Sequence, residues 1–328
     1  MKLMKAVQFK FGGGHSIASD IPVPTPDNDE LLVKVQYSAL DTAHKGVLGK
    51  EMMGYFVHSR PEPLYLGYHF TGTVEATGPD VTDKIKGTEV FGFLQYEPSQ
   101  KQGAFAEYIV VKEGECAVKP LRVSHAIAAA STTESLTALQ AMRDLGGLKE
   151  GGGMSVLING AGGGVGSAAV QIAKKLGARV SAVCSTRDVS RVEGWGADQV
   201  LDRRADPQVV STLERSGDRF DVILDGANAL PSSATDLLKP GGALVNTVPT
   251  PTFLWNRLKT VFSSKKVAFV ECRSKHEDLR LVGEWLADGD LLIPVDSTFK
   301  VSRMEDAMKR QEGRKNGRVA IQVEGGWD

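Results

Sequence analysis

Met154-Ser-Val-Leu-Ile-Asn-Gly-Ala-Gly-Gly-Gly-Val-Gly166 is the stretch on which the reading of this chain turns. Its first half is a short apolar run with the length of a buried strand. Its second half carries G-x-G-x-x-G spacing, with Ala161 in place of the first glycine. The residues that follow put Val165, Ala169, Ile172, Ala173 and Leu176 on one helical face. Strand, glycine turn and amphipathic helix together make a dinucleotide site. Gly163 lets the backbone approach a pyrophosphate and Gly166 lets the helix pack on the strand. A helix starting at Gly164 aims its free N–H groups and positive dipole end at the phosphates. Ala161, Gly163, Gly164, Val165 and Gly166 are therefore expected cofactor-binding residues.

Working downstream, residues 179–184, 199–201, 220–224, 243–246 and 267–270 read as further buried strands, most of them separated by helices or turns. With 154–158 they make six strands, which implies right-handed crossovers and a doubly wound parallel sheet of Rossmann order. The second strand ends at Val183-Cys184 and runs into Ser185, Thr186 and Arg187. A site specific for NAD holds Asp or Glu there for the ribose 2′-hydroxyl. Two hydroxyls and a guanidinium suit a 2′-phosphate instead, so NADPH is the expected cofactor, with Arg203 as a second cation. Asn246, closing its strand, and Thr137 complete the expected cofactor set.

Upstream, the texture is different. Up to about Leu121 the chain shows short alternating segments, 30–36, 70–76, 89–93 and 105–111, broken by Gly and Pro, the pattern of an all-β domain. Met1–Phe9 alternates like a first strand, and 124–145 is a helical stretch. Beyond about Glu271 come a helix (278–286), apolar residues at 291–294, a helix (304–310) and a final strand (318–323) that needs a host in the N-terminal β domain. The expected division is 1–121 completed by 271–328, and 122–270 for the Rossmann domain.

At 328 residues the chain has room for two such domains. Its formal net charge of −1 gives no overall attraction to nucleic acid or an anionic membrane, and Lys265-Lys266 and Arg314-Lys315 are the nearest things to basic clusters. No run approaches the roughly 18 apolar residues of a membrane span. Cys116, Cys184 and Cys272 have no paired spacing. A reducing, cytosolic setting is expected.

Several motifs then occur in a fixed order: Gly103-Ala-Phe-Ala-Glu-Tyr108, Leu136-Thr-Ala138, Asn159–Gly166 with Val170-Gln-Ile-Ala173, Gly196-Ala-Asp198, Lys239-Pro-Gly-Gly242 and Asn316-Gly-Arg-Val319. Together they resemble the medium-chain dehydrogenase/reductase superfamily, in its zinc-independent quinone oxidoreductase branch. The resemblance implies a GroES-like β catalytic domain plus a Rossmann domain, an α/β fold overall. It also implies hydride transfer from the nicotinamide to a quinone or α,β-unsaturated carbonyl, and a homodimer.

Two departures bear on the chemistry. Zinc-dependent relatives place a Cys near the position of Asp41 and a Gly-His-Glu motif where this chain has Gly67-Tyr68-His69. A catalytic zinc needs three protein ligands. No metal is expected, and His44 and His69 read as ordinary hydrogen-bonded histidines. Where the branch carries Asn-Pro-x-Asp, this chain has Asp41-Thr-Ala-His44. Asp41, His44 as a proton donor near neutral pH, and Tyr55 are the expected catalytic residues, with Tyr65, Tyr68 and His69 as further hydroxyl or imidazole donors. Two other readings stand beside the reductase: a catalytically weak NADPH-binding sensor or structural protein, and a zinc alcohol dehydrogenase.

Overall fold

The computed structural model describes residues 2–12, 14–59 and 61–328. Met1, which the alternation places in the first strand, Gly13 and Arg60 lie outside the described residues. In chain order the first strands are β1 (Leu3–Phe9), β2 (His15–Pro22), β3 (Glu30–Ala39), β4 (His69–Thr77), β5 (Glu89–Phe93), β6 (Tyr108–Lys112) and β7 (Cys116–Val118). A central block follows, of β8 (Ser155–Asn159), β9 (Arg179–Cys184), β10 (Gln199–Asp202), β11 (Phe220–Asp225), β12 (Leu238–Asn246) and β13 (Lys266–Phe269). β14 (Val295–Lys300) and β15 (Arg318–Gln322) close the chain. Contacts divide it into two compact units: Met1–Thr133 with Arg273–Asp288 and Ile293–Asp328, and Glu134–Cys272 with Gly289–Leu292.

In the first unit β14, β15, β3, β4, β5 and β7 lie side by side, β6 pairs with β3, and β1 pairs with β2. Val33, Val35, Phe70, Val74, Ile109, Val319 and Ile321, inward residues of its strands, fill its core together with Phe105 from the chain before β6. The final strand finds the expected host: β15 runs antiparallel to β3 and parallel to β14. It also fixes the chain beyond β3. The Leu40 amide donates to the Val319 carbonyl at 2.9 Å, and the Arg318 guanidinium donates to the Leu40 carbonyl at 2.6 Å. The next residue is Asp41.

In the second unit the six strands are ordered β10-β9-β8-β11-β12-β13, all parallel. That is the doubly wound order expected, with its reversal between β8 and β11. Val156, Leu157, Ile158, Val222, Ile223 and Leu224 are fully buried, as central parallel strands covered on both faces must be.

Some boundaries differ for local reasons. The strand expected from Phe105 begins at Tyr108; Phe105 donates instead to the Leu66 carbonyl at 3.1 Å, and Ala106 makes an isolated bridge to Ala6. The helix expected over 124–145 is α-helical for His125–Leu139 and then widens to a π-helical turn over Gln140–Leu145. Residues 291–294 form no strand. Elements additional to those expected include β2, β7, β14 and the helices Ala43–Leu48 and Pro251–Lys259. Among the described residues no helix is long and apolar enough to cross a membrane.

Candidate functional site

The glycine turn sits at the carboxyl end of β8, where open parallel sheets receive ligands. The amides of Gly160 and Ala161 donate to the Val183 carbonyl at 3.0 and 2.9 Å, and Gly163 N–H donates to the Gly160 carbonyl at 2.9 Å. The helix Gly164–Lys175 starts directly after it. Three glycines have no room for a side chain. A Cβ on Gly166 would lie 2.2 Å from the Gly160 carbonyl oxygen, one on Gly162 2.5 Å from the Asp188 carboxylate, and one on Gly164 2.7 Å from the Glu134 carboxylate. Gly163 differs: its nearest neighbour would be 3.3 Å away, and the residue is exposed. Its open side leaves room for a pyrophosphate. At the end of β12 the buried Asn246 keeps a side-chain oxygen with no hydrogen-bond partner among the described residues. A buried acceptor left this way is costly unless a ligand satisfies it. These residues fit a bound dinucleotide.

At the end of β9 the structure adds a residue that the sequence reading passed over. Asp188 is buried, and its carboxylate accepts from Ser185 Oγ at 2.8 Å, from an Arg191 Nη at 2.7 Å and from Arg187 Nε at 3.4 Å. An acid is therefore present past the second strand, but its oxygens are occupied by one hydroxyl and two guanidinium groups. Arg191 also donates to the Gly162 carbonyl at 3.3 Å, which ties this cluster to the glycine turn. Arg187 is mostly exposed. The Thr186 hydroxyl bonds the Asp202 carboxylate and, with the Arg204 amide, holds it below its ordinary value. Arg203 is exposed, and its amide donates to the Cys184 carbonyl at 3.0 Å. Thr137 is buried within the helix His125–Leu139.

In the first unit Asp41 is the hub of a buried cluster. Its Oδ1 accepts the Ala43 amide, the first of the helix Ala43–Leu48, at 2.8 Å and lies 3.0 Å from His44 Nδ1. Its Oδ2 accepts Tyr96 Oη at 2.7 Å and lies 2.9 Å from His69 Nε2. The Gly67 amide donates to His44 Nε2 at 3.1 Å. The Asp41 amide in turn donates to His44 Nδ1 at 3.2 Å. Both nitrogens of His44 are engaged and the ring is buried. These contacts place His44 beside the Asp41 carboxylate. His69 is fully buried, with Nδ1 2.6 Å from Thr132 Oγ1. Burial alone raises the Asp41 carboxyl, but the two imidazoles outweigh it and hold the group well below the usual carboxylate range.

The tyrosine brought to Asp41 is Tyr96, which had no sequence signal: it follows a strand in a loop without motif spacing. Tyr55 is 53% exposed on the short helix Met52–Phe56. Tyr68 is fully buried against Tyr96, ring centroids 4.9 Å apart, and its hydroxyl has no hydrogen-bond partner among the described residues. Burial, and then the nearby Asp41 charge, push that phenol well above its ordinary value. Tyr65 bonds Gln8, its hydroxyl 2.8 Å from Nε2.

A chain that combines a glycine turn at the head of a six-stranded parallel sheet with a β unit holding a buried carboxylate–imidazole–phenol cluster is built as a two-domain nicotinamide-dependent oxidoreductase. The comparisons agree. The alcohol dehydrogenase GroES-like domain family matches residues 27–121, and the zinc-binding dehydrogenase family matches residues 195–321. The chain is 33% identical to the chloroplastic quinone-oxidoreductase homolog of Spinacia oleracea, over 98% of this chain and 99% of that one. It is 29% identical to the 2-methylene-furan-3-one reductase of Solanum lycopersicum, over 93% of this chain and 74% of that one. The solved quinone oxidoreductase of Coxiella burnetii superposes with a TM-score of 0.82 at 25% identity, over 98% of this chain and 100% of that one. The chain belongs to the medium-chain dehydrogenase/reductase superfamily, in its quinone-oxidoreductase-like branch. It is an oxidoreductase of a family whose members bind nicotinamide cofactors.

One of the matching families is described by its zinc, so the fit to that metal matters. Asp41 and His69 face each other at hydrogen-bond distance, and both Asp41 oxygens already accept donors. Among the described residues no group of three or more His, Cys, Asp or Glu side chains is placed to hold a metal ion. A catalytic zinc takes three protein ligands, and these residues do not fit it.

Proposed function

We propose that the protein is an NADPH-dependent reductase of quinones or α,β-unsaturated carbonyls that works without zinc, as a cytosolic homodimer. The observation that carries the reading is the Asp41–His69–Tyr96 cluster. Where zinc-bearing relatives place ligands, this chain has a carboxylate that accepts donors, so hydrogen bonds rather than a Lewis acid polarise the substrate. The bound nicotinamide supplies the hydride. The first unit's part is to hold a proton at Tyr96 Oη, the partly exposed member of the cluster. When that O–H turns to a substrate oxygen, His69, His44 and the Ala43 amide still satisfy Asp41. A quinone asks less, since it accepts hydride readily and solvent supplies protons.

The choice of NADPH is supported by Arg187 and Arg191 together, two cations at the end of β9 beside an acid they already neutralise. The test is steady-state NADPH consumption across a panel of quinones and enones, with Kd for NADPH and NADH measured alongside. Turnover and tighter binding of NADPH are expected, and Arg187→Ala should narrow the difference in affinity. Tight NADPH binding with no turnover anywhere in the panel would establish the sensor or structural reading instead. Stoichiometric zinc in the purified protein would overturn the metal-free mechanism.

A further inference from the structure

Reduction adds a hydride and one proton to the substrate, so a proton that Tyr96 gives away has to be replaced. The phenolate left behind would face the buried Asp41 carboxylate at 2.7 Å, anion against anion. The oxygen that faces Tyr96 also faces a group able to return the proton. Asp41 Oδ2 accepts Tyr96 Oη and lies 2.9 Å from His69 Nε2, whereas His44 is at Oδ1. An ionised carboxylate only accepts, so His69 meets it with an N–H on Nε2. A proton that reaches Oδ2 from Nε2 can leave toward Oη with no movement of the backbone.

Two hydroxyls of the helix His125–Leu139 flank the buried His69 ring. Thr132 Oγ1 lies 2.6 Å from Nδ1 and donates to the Ala129 carbonyl at 3.4 Å. Thr133 Oγ1 lies 3.4 Å from Nε2 and accepts from Arg318 Nη2 of β15 at 3.0 Å. With its hydrogen on Ala129, Thr132 accepts from an Nδ1–H, and the ring carries two protons beside the Asp41 charge. Once Nε2 has given its proton away, the Thr133 hydroxyl can turn its own hydrogen to the vacated nitrogen, because Arg318 occupies only a lone pair of its oxygen. Both protonation states of a buried ring thus keep their hydrogen bonds, which a ring kept only for packing does not need. Asp41 favours the second proton and Arg318, behind Thr133, opposes it, while His44 and Tyr96 share the same carboxylate.

We propose, on the reductase reading, that His69 is the proton store of this site, returning a proton through Asp41 Oδ2 to Tyr96 after Tyr96 has protonated the substrate. In one turnover the His69 Nε2–H bond breaks and the Tyr96 Oη–H bond re-forms, while the product keeps the proton that Tyr96 gave. When product leaves, solvent refills the ring by the same route, through the partly exposed Tyr96. His69 is a positioning residue that acts through Tyr96 and touches no substrate. The experiment follows protons in the full-length protein in two ways. Nitrogen NMR of histidine-labelled protein at about pH 8, without cofactor or substrate, should show an imidazole protonated on both nitrogens, where an ordinary one, titrating near about 6.5, has lost its second proton. That signal should be missing from His69→Gln. Thr132→Val leaves the Nδ1–H without its acceptor and should lower the ring's titration by about one to two pH units. In a weakly buffered single turnover with quinone or enone, an indicator dye should show proton uptake lagging NADPH oxidation in the parent. In His69→Gln the two should coincide, and kcat should fall roughly a hundredfold with KM nearly unchanged, since glutamine still offers Asp41 an N–H. A His69 ring with one proton at about pH 8, or uptake in step with NADPH oxidation in the parent, overturns the inference and leaves the reductase reading standing. No turnover with any quinone or enone defeats that reading and the inference with it.

Discussion

Single residues carry the chemistry through what surrounds them. The Asp41 carboxyl is held well below its ordinary value by the two imidazoles bonded to it. A depressed acid contributes stability that is fully present above its unfolded value, about 3.9, and is lost as pH falls from there through the folded value. Asp41→Asn removes that contribution and turns an N–H2 toward the donors of Tyr96 or His69. The variant should unfold with about 2 kcal/mol less stability at neutral pH, and its stability should fall less steeply in acid than the parent's. Denaturant titrations at several pH values check this; parallel acid limbs for parent and variant would count against it. The glycine turn offers a cleaner separation of fold from binding. Gly166→Ala forces a Cβ to 2.2 Å from a carbonyl oxygen and should cost about 1–3 kcal/mol of stability. Gly163→Ala meets nothing closer than 3.3 Å, so its melting midpoint should stay near the parent's while NADPH affinity drops at least about tenfold, since its methyl fills the space a pyrophosphate needs. If both alanines act alike, Gly163 is an ordinary turn glycine.

Among the elements, β15 shows how a distant segment of chain completes a site. Val319, Ala320 and Ile321 are fully buried, and their strand holds the Leu40 backbone one residue before Asp41. Ile321→Ala should cost about 2–5 kcal/mol through the cavity it leaves, read as a lowered denaturation midpoint of the first unit; a loss under about 1 kcal/mol would mean the strand is not part of that core. The sequence made this strand legible because alternation marks a half-buried strand wherever it lies, and an orphan strand needs a host. The six strands of the second unit were legible for a related reason: buried parallel strands are short apolar runs between helices. The helix Pro251–Lys259 was not, because Phe253 and Asn256 are its buried residues while Leu254, Trp255 and Leu258 are exposed, so its apolar residues do not mark the face it packs. The Asp41 cluster was half legible. Asp41, His44 and His69 stood out by their departure from a family pattern, whereas Tyr96 and Asp188 reach their partners through loop geometry that no spacing encodes. The contact of His44 with the Gly67 amide becomes visible only once β4 and the loop before it are folded.

Across the whole molecule, cofactor and proton-bonding residues are assigned to different units. Gly163, Asp188, Arg191 and Asn246 belong to Glu134–Cys272, and Asp41, His69 and Tyr96 to the unit begun by Met1–Thr133. Each has its own apolar core: Val33, Phe70 and Ile321 are in one cluster, Leu157, Ile223 and Leu244 in another. Separate cores of this kind open separately, and a ligand protects the unit that must stay folded to bind it. At a concentration 100 times its Kd, a ligand bound only to the native form adds about 2.7 kcal/mol, a roughly hundredfold slowing of exchange through openings that destroy its site. Saturating NADPH should therefore slow amide hydrogen exchange about a hundredfold in β8, β11 and β12. In β4 and β5 it should leave exchange nearly unchanged. Mass-spectrometric exchange with and without NADPH reads both sets of strands in one experiment. Equal slowing in the two sets would show that the units unfold as one cooperative block, and that the energy of cofactor binding is shared by the domain holding Asp41.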